Sequence, residues 1–430
     1  MVFVDCRGVQ APRAVGGPLA KVCGLPILVR TLLILERAGC ERAYLLVEPG
    51  HRVTVEGVLA RHSRLHMPFA IVESTGDSLA PLAKVLGERS PDAQVLVWPA
   101  ALSLGRRAPE WCEVPAGGML LGQDVTSGQD SGLVLSTARV LCAHPEQSVA
   151  ELVKRLAAEG KLERVPLPGR VFTVVDRATV RLAERELLRS LRKDADGAVA
   201  KFDRYVSLAI SRPLMALPIK PNHITAVAVL IGILCGVLVA HGGYAWMLLG
   251  AAAFQLNSIL DGVDGEIARA KLLESPSGQW LDTVSDDLSN LAFMVGVSVG
   301  SYRTWGSLMY LALGAIAGVS LVISDVIMYH YLITRTHTGD LNDFVLPWHQ
   351  GRAHRQDRSE QPKGLISRVV GKLEWVFRRD AYVFMSTLFG VAGQLRFMTW
   401  LFAAGTTVFW VSILLGRALL SPLTGGSEGA

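Results

Sequence analysis

The pattern of hydrophobic and polar positions divides this chain into two parts of different character. Up to about residue 180, short apolar runs alternate with segments of helical periodicity. Strands that alternate with helices favour a mostly parallel sheet covered by helices, so this part is predicted to be an α/β domain. The predicted strands are 2–4, 43–47, 69–73, 94–98 and 171–175, and the predicted helices are 26–38, 52–62, 78–88 and 147–159.

The second part consists mainly of long uncharged apolar runs and is predicted to be an all-α membrane domain with six transmembrane helices. With 50% hydrophobic residues and a mean hydropathy of +0.34, the chain is too apolar for an ordinary soluble protein. Residues 181–221 are predicted to form a juxtamembrane linker with an amphipathic helix over about 183–216, and residues 421–430 a flexible tail. The predicted membrane domain covers residues 222–420, with spans at 222–241, 244–262, 282–300, 305–333, 381–395 and 397–418.

The distribution of Lys and Arg predicts the orientation of these spans. The links after the first, third and fifth spans carry at most one basic residue, whereas the link after the second span carries Arg269 and Lys271. Basic links stay in the cytosol, so we expect the N-terminus, both basic links and the C-terminus to face the cytosol from the inner (cytoplasmic) membrane. The link after the fourth span carries Arg335, Arg352, Arg355, Arg358, Lys363, Arg368, Lys372, Arg378 and Arg379.

Charge and cysteine content narrow the class of protein further. The net charge of +5 lies near the predicted membrane ends and lacks a basic run with interleaved aromatic residues, so a bilayer is the expected partner and nucleic acid is not. The six cysteines form no C-x2-C pair and suit a reducing compartment. The first thirty residues carry charges and no apolar core, so no signal peptide is predicted.

Four carboxylates lie between two strongly apolar segments. Asp261 and Asp264 are spaced i,i+3 and Asp282 and Asp286 i,i+4, so two helices can each present two carboxylates to a common point. Four such charges at a membrane-embedded site would repel unless cations lay between them, and oxygen ligands suit Mg²⁺ or Mn²⁺. The alternative is that acids here cap helices and face water, which we expect for Glu266, Glu274 and Asp287.

The full spacing D-x2-D-G-x2-A-R-x8-G-x3-D-x3-D resembles the signature of the CDP-alcohol phosphatidyltransferase family of membrane enzymes. The resemblance implies transfer of a phosphoalcohol group from a CDP-linked donor, of CDP-diacylglycerol or CDP-inositol type, to a polar alcohol or phosphoalcohol, with release of CMP. It also implies that Asp286 is the general base. The implied metal ligands for two ions are Asp261, Asp264, Asp282 and Asp286, and the implied nucleotide- and phosphate-binding residues are Gly265, Ala268, Arg269 and Gly278.

Other features bear on the acceptor and on assembly. Lys220, Arg335 and Arg379 are candidates to bind an acceptor phosphate, although each also suits a membrane-end anchor. Pro221-Asn222 resembles the family's entry into its first transmembrane helix, where Asn222 either caps the helix or contacts substrate. We expect a homodimer, but the GxxxG pairs permit packing within one subunit as well as between two; they are 232/236, 296/300 and 314/318.

The first part, residues 1–180, resembles a nucleotidyltransferase-like (Rossmann-like) domain. Lys21, Gly24 to Pro26 and Ala38-Gly39 follow the layout of sugar nucleotidyltransferases, and the segment around Asp176 resembles fused inositol-1-phosphate cytidylyltransferase/di-myo-inositol phosphate phosphate synthases. The opening loop lacks the family's glycine-rich core and contains Pro12. Where the family has a metal-binding Asp after the fourth strand, this chain has the sequence Trp-Pro-Ala-Ala at 98–101.

These departures predict a retained fold with lost or reduced catalysis in the first domain. The favoured function is a membrane phosphotransferase whose acceptor is an inositol phosphate or a similar polyol phosphate. Two alternatives stay open at this point: a bifunctional cytidylyltransferase and di-inositol phosphate phosphate synthase, and a non-catalytic membrane scaffold that senses nucleotide. The intact set of four aspartates favours the enzyme, because intramembrane acids are costly to keep.

Overall fold

The structure is a computed structural model that describes residues 1–7, 16–87, 90–103, 114, 117–167, 169–191, 198–339 and 379–424. The chain divides into two compact units. The N-terminal unit contains Met1–Lys193 and two short later segments, Met215–Pro218 and Arg269–Leu272. The remainder forms the membrane unit.

A seven-stranded sheet forms the centre of the N-terminal unit. The described strands are β1 Val2–Asp5, β2 Lys21–Val22, β3 Leu25–Pro26, β4 Ala43–Val47, β5 Phe69–Glu73, β6 Gln94–Pro99, β7 Leu102–Ser103, β8 Met119–Asp124, β9 Asp130–Thr137, β10 Leu162–Leu167 and β11 Phe172–Thr173. The order in the sheet is β10-β8-β9-β6-β1-β4-β5, and only β9 runs antiparallel to its neighbours. The predicted α/β fold with a mostly parallel sheet is confirmed.

Helices cover both faces of this sheet. Side chains alternate between the faces along β1, where Val2 and Val4 join one buried cluster and Phe3 the other. Helix α1 packs on the first face through Leu28 and Leu32. The helices of this unit are α1 Ile27–Arg37, α2 Arg52–Ala60, α3 Ala80–Leu86, α4 Ala138–Cys142, α5 Val149–Ala158 and α6 Arg177–Ser190. All four predicted helices are found within about two residues of their expected ends.

A buried carboxylate holds the end of β8 in place. Asp124 accepts hydrogen bonds from the backbone N–H groups of Thr126 and Ser127, each at 2.7 Å, and from that of Val171. Burial raises the pKa of Asp124, but these hydrogen bonds outweigh it and hold the pKa below its usual value. A depressed carboxyl pKa stabilises the fold at neutral pH, and this contribution is lost as the pH falls through the folded-state pKa.

The membrane unit consists of seven helices in the described residues. They are α7 Ala198–Met215, α8 Pro221–Ala240, α9 Tyr244–Ala270, α10 Pro276–Trp305, α11 Met309–Tyr331, α12 Arg379–Val391 and α13 Phe397–Thr424. A π-helical turn, Leu332–Thr336, extends α11. The region expected to hold one amphipathic helix, 183–216, holds the end of α6 and all of α7 instead, because α6 ends at Ser190.

Three of these helices are long and apolar enough to cross a membrane: Pro221–Ala240, Met309–Thr336 and Phe397–Leu414. The other three predicted spans correspond to α9, α10 and α12. Helices α9 and α10 contain the charged aspartate motif, and α12 has only 13 residues. The protein is therefore a membrane protein, whereas the count of six spans stays a prediction. Most of the basic link, residues 340–378, lies outside the described residues.

Glycine contacts hold α8 against α10 within one subunit. A Cβ added to Gly296 would come within 2.3 Å of the carbonyl oxygen of Gly236, and one added to Gly300 within 2.0 Å of that of Val239. Only glycine lets two helix backbones approach so closely. Gly314 makes a similar approach to Ser298, with 2.2 Å from its added Cβ to the serine Oγ. Two of the GxxxG pairs are thus used inside the subunit.

Candidate functional site

Helices α9 and α10 bring the predicted metal ligands together. Asp261, Asp264 and Asp282 each offer a carboxylate oxygen, and these three oxygens lie within 4.8 Å of one another. Asp286 lies one turn beyond Asp282 on α10 and faces the same region through its contact with Arg379. Carboxylates far apart in the sequence thus converge, because the C-terminal part of α9 lies near the N-terminal part of α10.

Two further side chains orient these carboxylates. The hydroxyl of Thr225, on α8, donates to Oδ2 of Asp264 at 2.6 Å, and both residues are buried. The guanidinium of Arg379, at the start of α12, donates to Asp261 at 2.7 Å and also to Asp286. One cation therefore offsets part of the charge of the carboxylates, which would otherwise repel one another.

The residues present fit a divalent cation. Oδ1 of Asp282 is buried and has no hydrogen-bond partner among the described residues. A buried carboxylate oxygen without a partner is costly unless it binds a cation or accepts a hydrogen bond. Three carboxylates and no nitrogen or sulfur ligand form an all-oxygen donor set, which suits a hard ion. The cluster could therefore hold a divalent metal.

The predicted nucleotide-binding residues lie on the same two helices as the aspartates. Gly265, Ala268 and Arg269 lie on the last two turns of α9, and all three are partly buried. Gly278 lies in the first turn of α10, where its N–H donates to Oγ of the N-cap residue Ser275 at 3.1 Å.

The acceptor-phosphate candidates differ in position. Arg379 contacts the aspartates directly, whereas Lys220 and Arg335 are exposed, at the start of α8 and in the π-helical turn. Asn222 does not cap α8, because the N-cap position is occupied by Lys220 and no side chain makes a capping hydrogen bond there. The proposed capping role of Asn222 is therefore wrong, and its side chain is exposed.

Two acids that were expected to face water are instead in contact with the protein interior. Glu266 is fully buried and accepts hydrogen bonds from the hydroxyls of Ser207 at 2.6 Å and Ser211 at 2.5 Å. It thereby fixes α7 against the motif-bearing end of α9. Asp287 is partly buried and accepts a hydrogen bond from Tyr329 of α11. The i,i+4 spacing of the two serines is a weak signal that could have indicated a partner on α7.

In the N-terminal unit, Asp5 and Asp176 make hydrogen bonds that stabilise the local fold. Asp5 pairs with Arg7 through two hydrogen bonds, at 2.9 and 2.8 Å. Asp176 is the N-cap of α6, where its side chain accepts the N–H of Thr179 at 2.8 Å. Trp98 is fully buried, and Lys21 is exposed. The opening loop, residues 8–15 with Pro12, lies outside the described residues.

The family described as CDP-alcohol phosphatidyltransferase matches residues 219–347. A "Bifunctional IPC transferase and DIPP synthase" from Rubrobacter xylanophilus is 30% identical over 349 residues, which cover 71% of this chain and 77% of that protein. A protein of the same description from Aquifex aeolicus is 31% identical over 156 residues, 36% of this chain and 35% of its own length. An "Archaetidylinositol phosphate synthase" from Pyrococcus horikoshii is 31% identical over 97 residues, 22% of this chain and 50% of its length.

Among solved structures, the inositol-1-phosphate CTP transferase from T. maritima resembles this chain with a TM-score of 0.33 and 13% identity, over 43% of this chain and 95% of that one. The family match covers α8, α9, α10 and α11, the helices that carry the aspartates and their partner Thr225. The chain belongs to the CDP-alcohol phosphatidyltransferase family, and it is a transferase of that reaction class.

Proposed function

We propose that the membrane unit transfers a phosphoalcohol group from a CDP-linked donor to a hydroxyl group of an inositol phosphate or a similar polyol phosphate, and releases CMP. The observation that carries the proposal is the convergence of Asp261, Asp264 and Asp282 within 4.8 Å, next to Asp286. The names of the relatives support an inositol-type substrate, since they describe inositol or IPC chemistry.

The four aspartates would hold two Mg²⁺ or Mn²⁺ ions, and the chemistry supplied by such ions when bound is polarisation of the pyrophosphate and stabilisation of the charge on the departing CMP. Thr225 orients Asp264 for this role, because its hydroxyl occupies one lone pair of the carboxylate. Cytidine and its phosphates would contact Gly265, Ala268, Arg269 and Gly278. Small residues at three of these positions let a ligand approach the helix backbone closely.

Asp286 acts as the general base in this proposal. It takes the proton of the acceptor hydroxyl while that oxygen forms a bond to the phosphorus and the bond from phosphorus to the CMP oxygen breaks. Arg379 donates to Asp286 and so holds the carboxylate in one orientation. Together with Lys220 and Arg335, Arg379 is also proposed to bind the phosphate of the acceptor, because a guanidinium matches the geometry of phosphate oxygens.

We further propose an inner-membrane protein with its N-terminus, aspartate site and C-terminus facing the cytosol, where CDP-linked donors and divalent ions are available. The asymmetry of Lys and Arg between the links supports this orientation. The proposed domains are residues 1–180, a linker at 181–221, the membrane domain at 222–420 and a tail at 421–430. A homodimer is proposed as well, with an interface on surfaces other than the α8–α10 glycine contact.

A second candidate is a bifunctional protein whose N-terminal unit makes the CDP-linked donor from CTP. The similarity to the Rubrobacter protein favours it, because the matched length exceeds that of either unit. Against it, residues 98–101 offer no carboxylate, and Asp5 and Asp176 are engaged by Arg7 and Thr179. We therefore propose that the N-terminal unit is a scaffold with lost or reduced catalysis.

The test uses the purified full-length protein in liposomes with labelled donors and follows the release of CMP. CDP-inositol and CDP-diacylglycerol are offered as donors, each with inositol 1-phosphate, inositol or glycerol 3-phosphate as acceptor. At least one pair should release CMP with Mg²⁺ or Mn²⁺, and a chelator should stop the reaction. If no pair releases CMP with either ion present, the proposed function is wrong.

A further inference from the structure

A cavity of about 270 Å³ lies inside the membrane unit beside the aspartates. Asp286 and Arg379 line it, so it is continuous with the proposed site of proton transfer. Asp286, Asn290 and Met294 follow one another on α10 at i, i+4 and i+8, and all three line the cavity. At a rise of about 1.5 Å per residue, the cavity extends along about 12 Å of this helix.

Part of the lining consists of hydrogen-bond acceptors that lack a donor. Oδ1 of Asn290 and Oδ1 of Asp325 are buried, and within the described part of the chain neither has a hydrogen-bond partner. Asp325 lies on α11 and also lines the cavity. Buried acceptors are nearly always paired in folded proteins, so these two oxygens indicate a ligand that donates hydrogen bonds.

The remaining lining limits the chemistry of that ligand. Carboxylates from Asp287 and Asp325 would repel a phosphate group in this part of the cavity. An acyl chain would leave both acceptors unpaired in an apolar environment, which is costly. Phe254, Phe402 and Phe409 supply aromatic surface for C–H groups. A small carbon skeleton that carries hydroxyl groups fits both features: the hydroxyls donate to the unpaired oxygens, and the C–H groups pack against the aromatic rings.

We propose that Asn290 and Asp325 recognise hydroxyl groups of the acceptor other than the one that reacts, so that the cavity selects a polyol over a monoalcohol or a lipid. The inference rests on the proposed function, since Asp286 as the base directs the acceptor to this cavity. Asn290 lies one helical turn, about 6 Å, beyond Asp286. That spacing suits a ring that offers one hydroxyl to Asp286 and another to Asn290.

The test compares two acceptors in the CMP-release assay with the full-length protein. Inositol 1-phosphate carries several hydroxyls, whereas a cyclohexanediol monophosphate keeps only one reacting hydroxyl. The variants are Asn290→Leu and Asp325→Leu, which remove the amide and the carboxylate as hydrogen-bond acceptors and keep the approximate shape of each side chain. Ser298→Ala is the matched control, because Ser298 lies on α10 outside the cavity lining and bonds to its own helix at Met294.

The wild type should prefer inositol 1-phosphate by about 10- to 100-fold in kcat/KM, because the analogue lacks the hydroxyls that pair with Asn290 and Asp325. Asn290→Leu and Asp325→Leu should each raise the KM for inositol 1-phosphate by about fivefold, leave the donor KM unchanged and lower the preference by the same factor, while Ser298→Ala keeps it. Equal use of both acceptors by the wild type overturns the inference but leaves the proposed function standing. An equal loss of kcat for both acceptors in the variants also overturns it, because it indicates a structural role. Failure of every acceptor overturns the proposed function itself.

Discussion

Replacing Thr225 with Val should weaken the metal site without altering the shape of the protein around it. The hydroxyl of Thr225 donates to Asp264 at 2.6 Å, and both side chains are buried. Valine has nearly the same volume and β-branching, so it fits the same position on α8. The change therefore removes one hydrogen bond and leaves one oxygen of a buried carboxylate without that donor.

The size of the effect follows from the negative charge on Asp264, which accepts this hydrogen bond. A hydrogen bond to a charged group contributes about 1.5–3 kcal/mol. Because a factor of ten corresponds to about 1.4 kcal/mol, the loss equals about 10- to 150-fold in affinity. Loss of an outer partner of a metal ligand typically costs about 10- to 100-fold in metal affinity. We therefore expect the Mg²⁺ concentration for half-maximal CMP release to rise 10- to 100-fold in Thr225→Val.

The assay titrates Mg²⁺ against CMP release for the wild type, Thr225→Val and Thr225→Ser. Serine keeps the hydroxyl, so Thr225→Ser should titrate like the wild type. Thr399→Val is the matched control, since Thr399 is also buried but its hydroxyl donates at 2.7 Å to the carbonyl of Arg396. An unchanged Mg²⁺ midpoint in Thr225→Val, with normal folding, would refute the role given to this hydrogen bond.

Three further predictions concern packing, topology and the N-terminal unit. Gly296→Ala should destabilise the protein by about 1–3 kcal/mol, because the added Cβ meets the backbone of Gly236, and this should lower the melting temperature in detergent. Gly318→Ala is the control and should melt like the wild type, because the nearest atom to its added Cβ lies at 3.7 Å. In a background without native cysteines, a cysteine near Gly243 should react with an impermeant reagent from outside and one at 340–365 only after the cytosolic face is opened; the reverse pattern rejects the orientation. With CTP and inositol 1-phosphate, the full-length protein should release no pyrophosphate, and robust release would establish the bifunctional alternative.

Much of the fold could be predicted because periodicity and spacing are local properties of the sequence. Six described strands were missed. Of these, β2, β3 and β7 have two residues each, whereas β8, β9 and β10 have short apolar runs, and Gly122 and Gly132 interrupt β8 and β9. The four aspartates were found because their spacing on two helices is regular. The contacts of Arg379 with Asp261 and Asp286 could not be deduced, because they join residues 118 and 93 positions apart and depend on how α12 packs.

The burial of single polar residues also could not be predicted from the sequence. Glu266 was expected to face water because an isolated acid in a helix usually does, yet its two serine partners lie 59 and 55 residues earlier on α7. Nothing in the local pattern distinguishes such a residue from a solvated one. The unpaired oxygens of Asn290 and Asp325 likewise depend on three-dimensional packing, because both residues resemble ordinary polar positions of long helices.

The most direct measurement is the rate of CMP release by Asp286→Asn, with an active donor–acceptor pair and saturating Mg²⁺. Asparagine keeps the size of the side chain but cannot accept the proton of the acceptor hydroxyl. General base catalysis contributes about 10²- to 10⁴-fold, so the rate should fall by at least that factor while the variant stays inserted and melts like the wild type. A rate near that of the wild type would contradict the account, because the reaction would then proceed without the base on which the proposed mechanism depends.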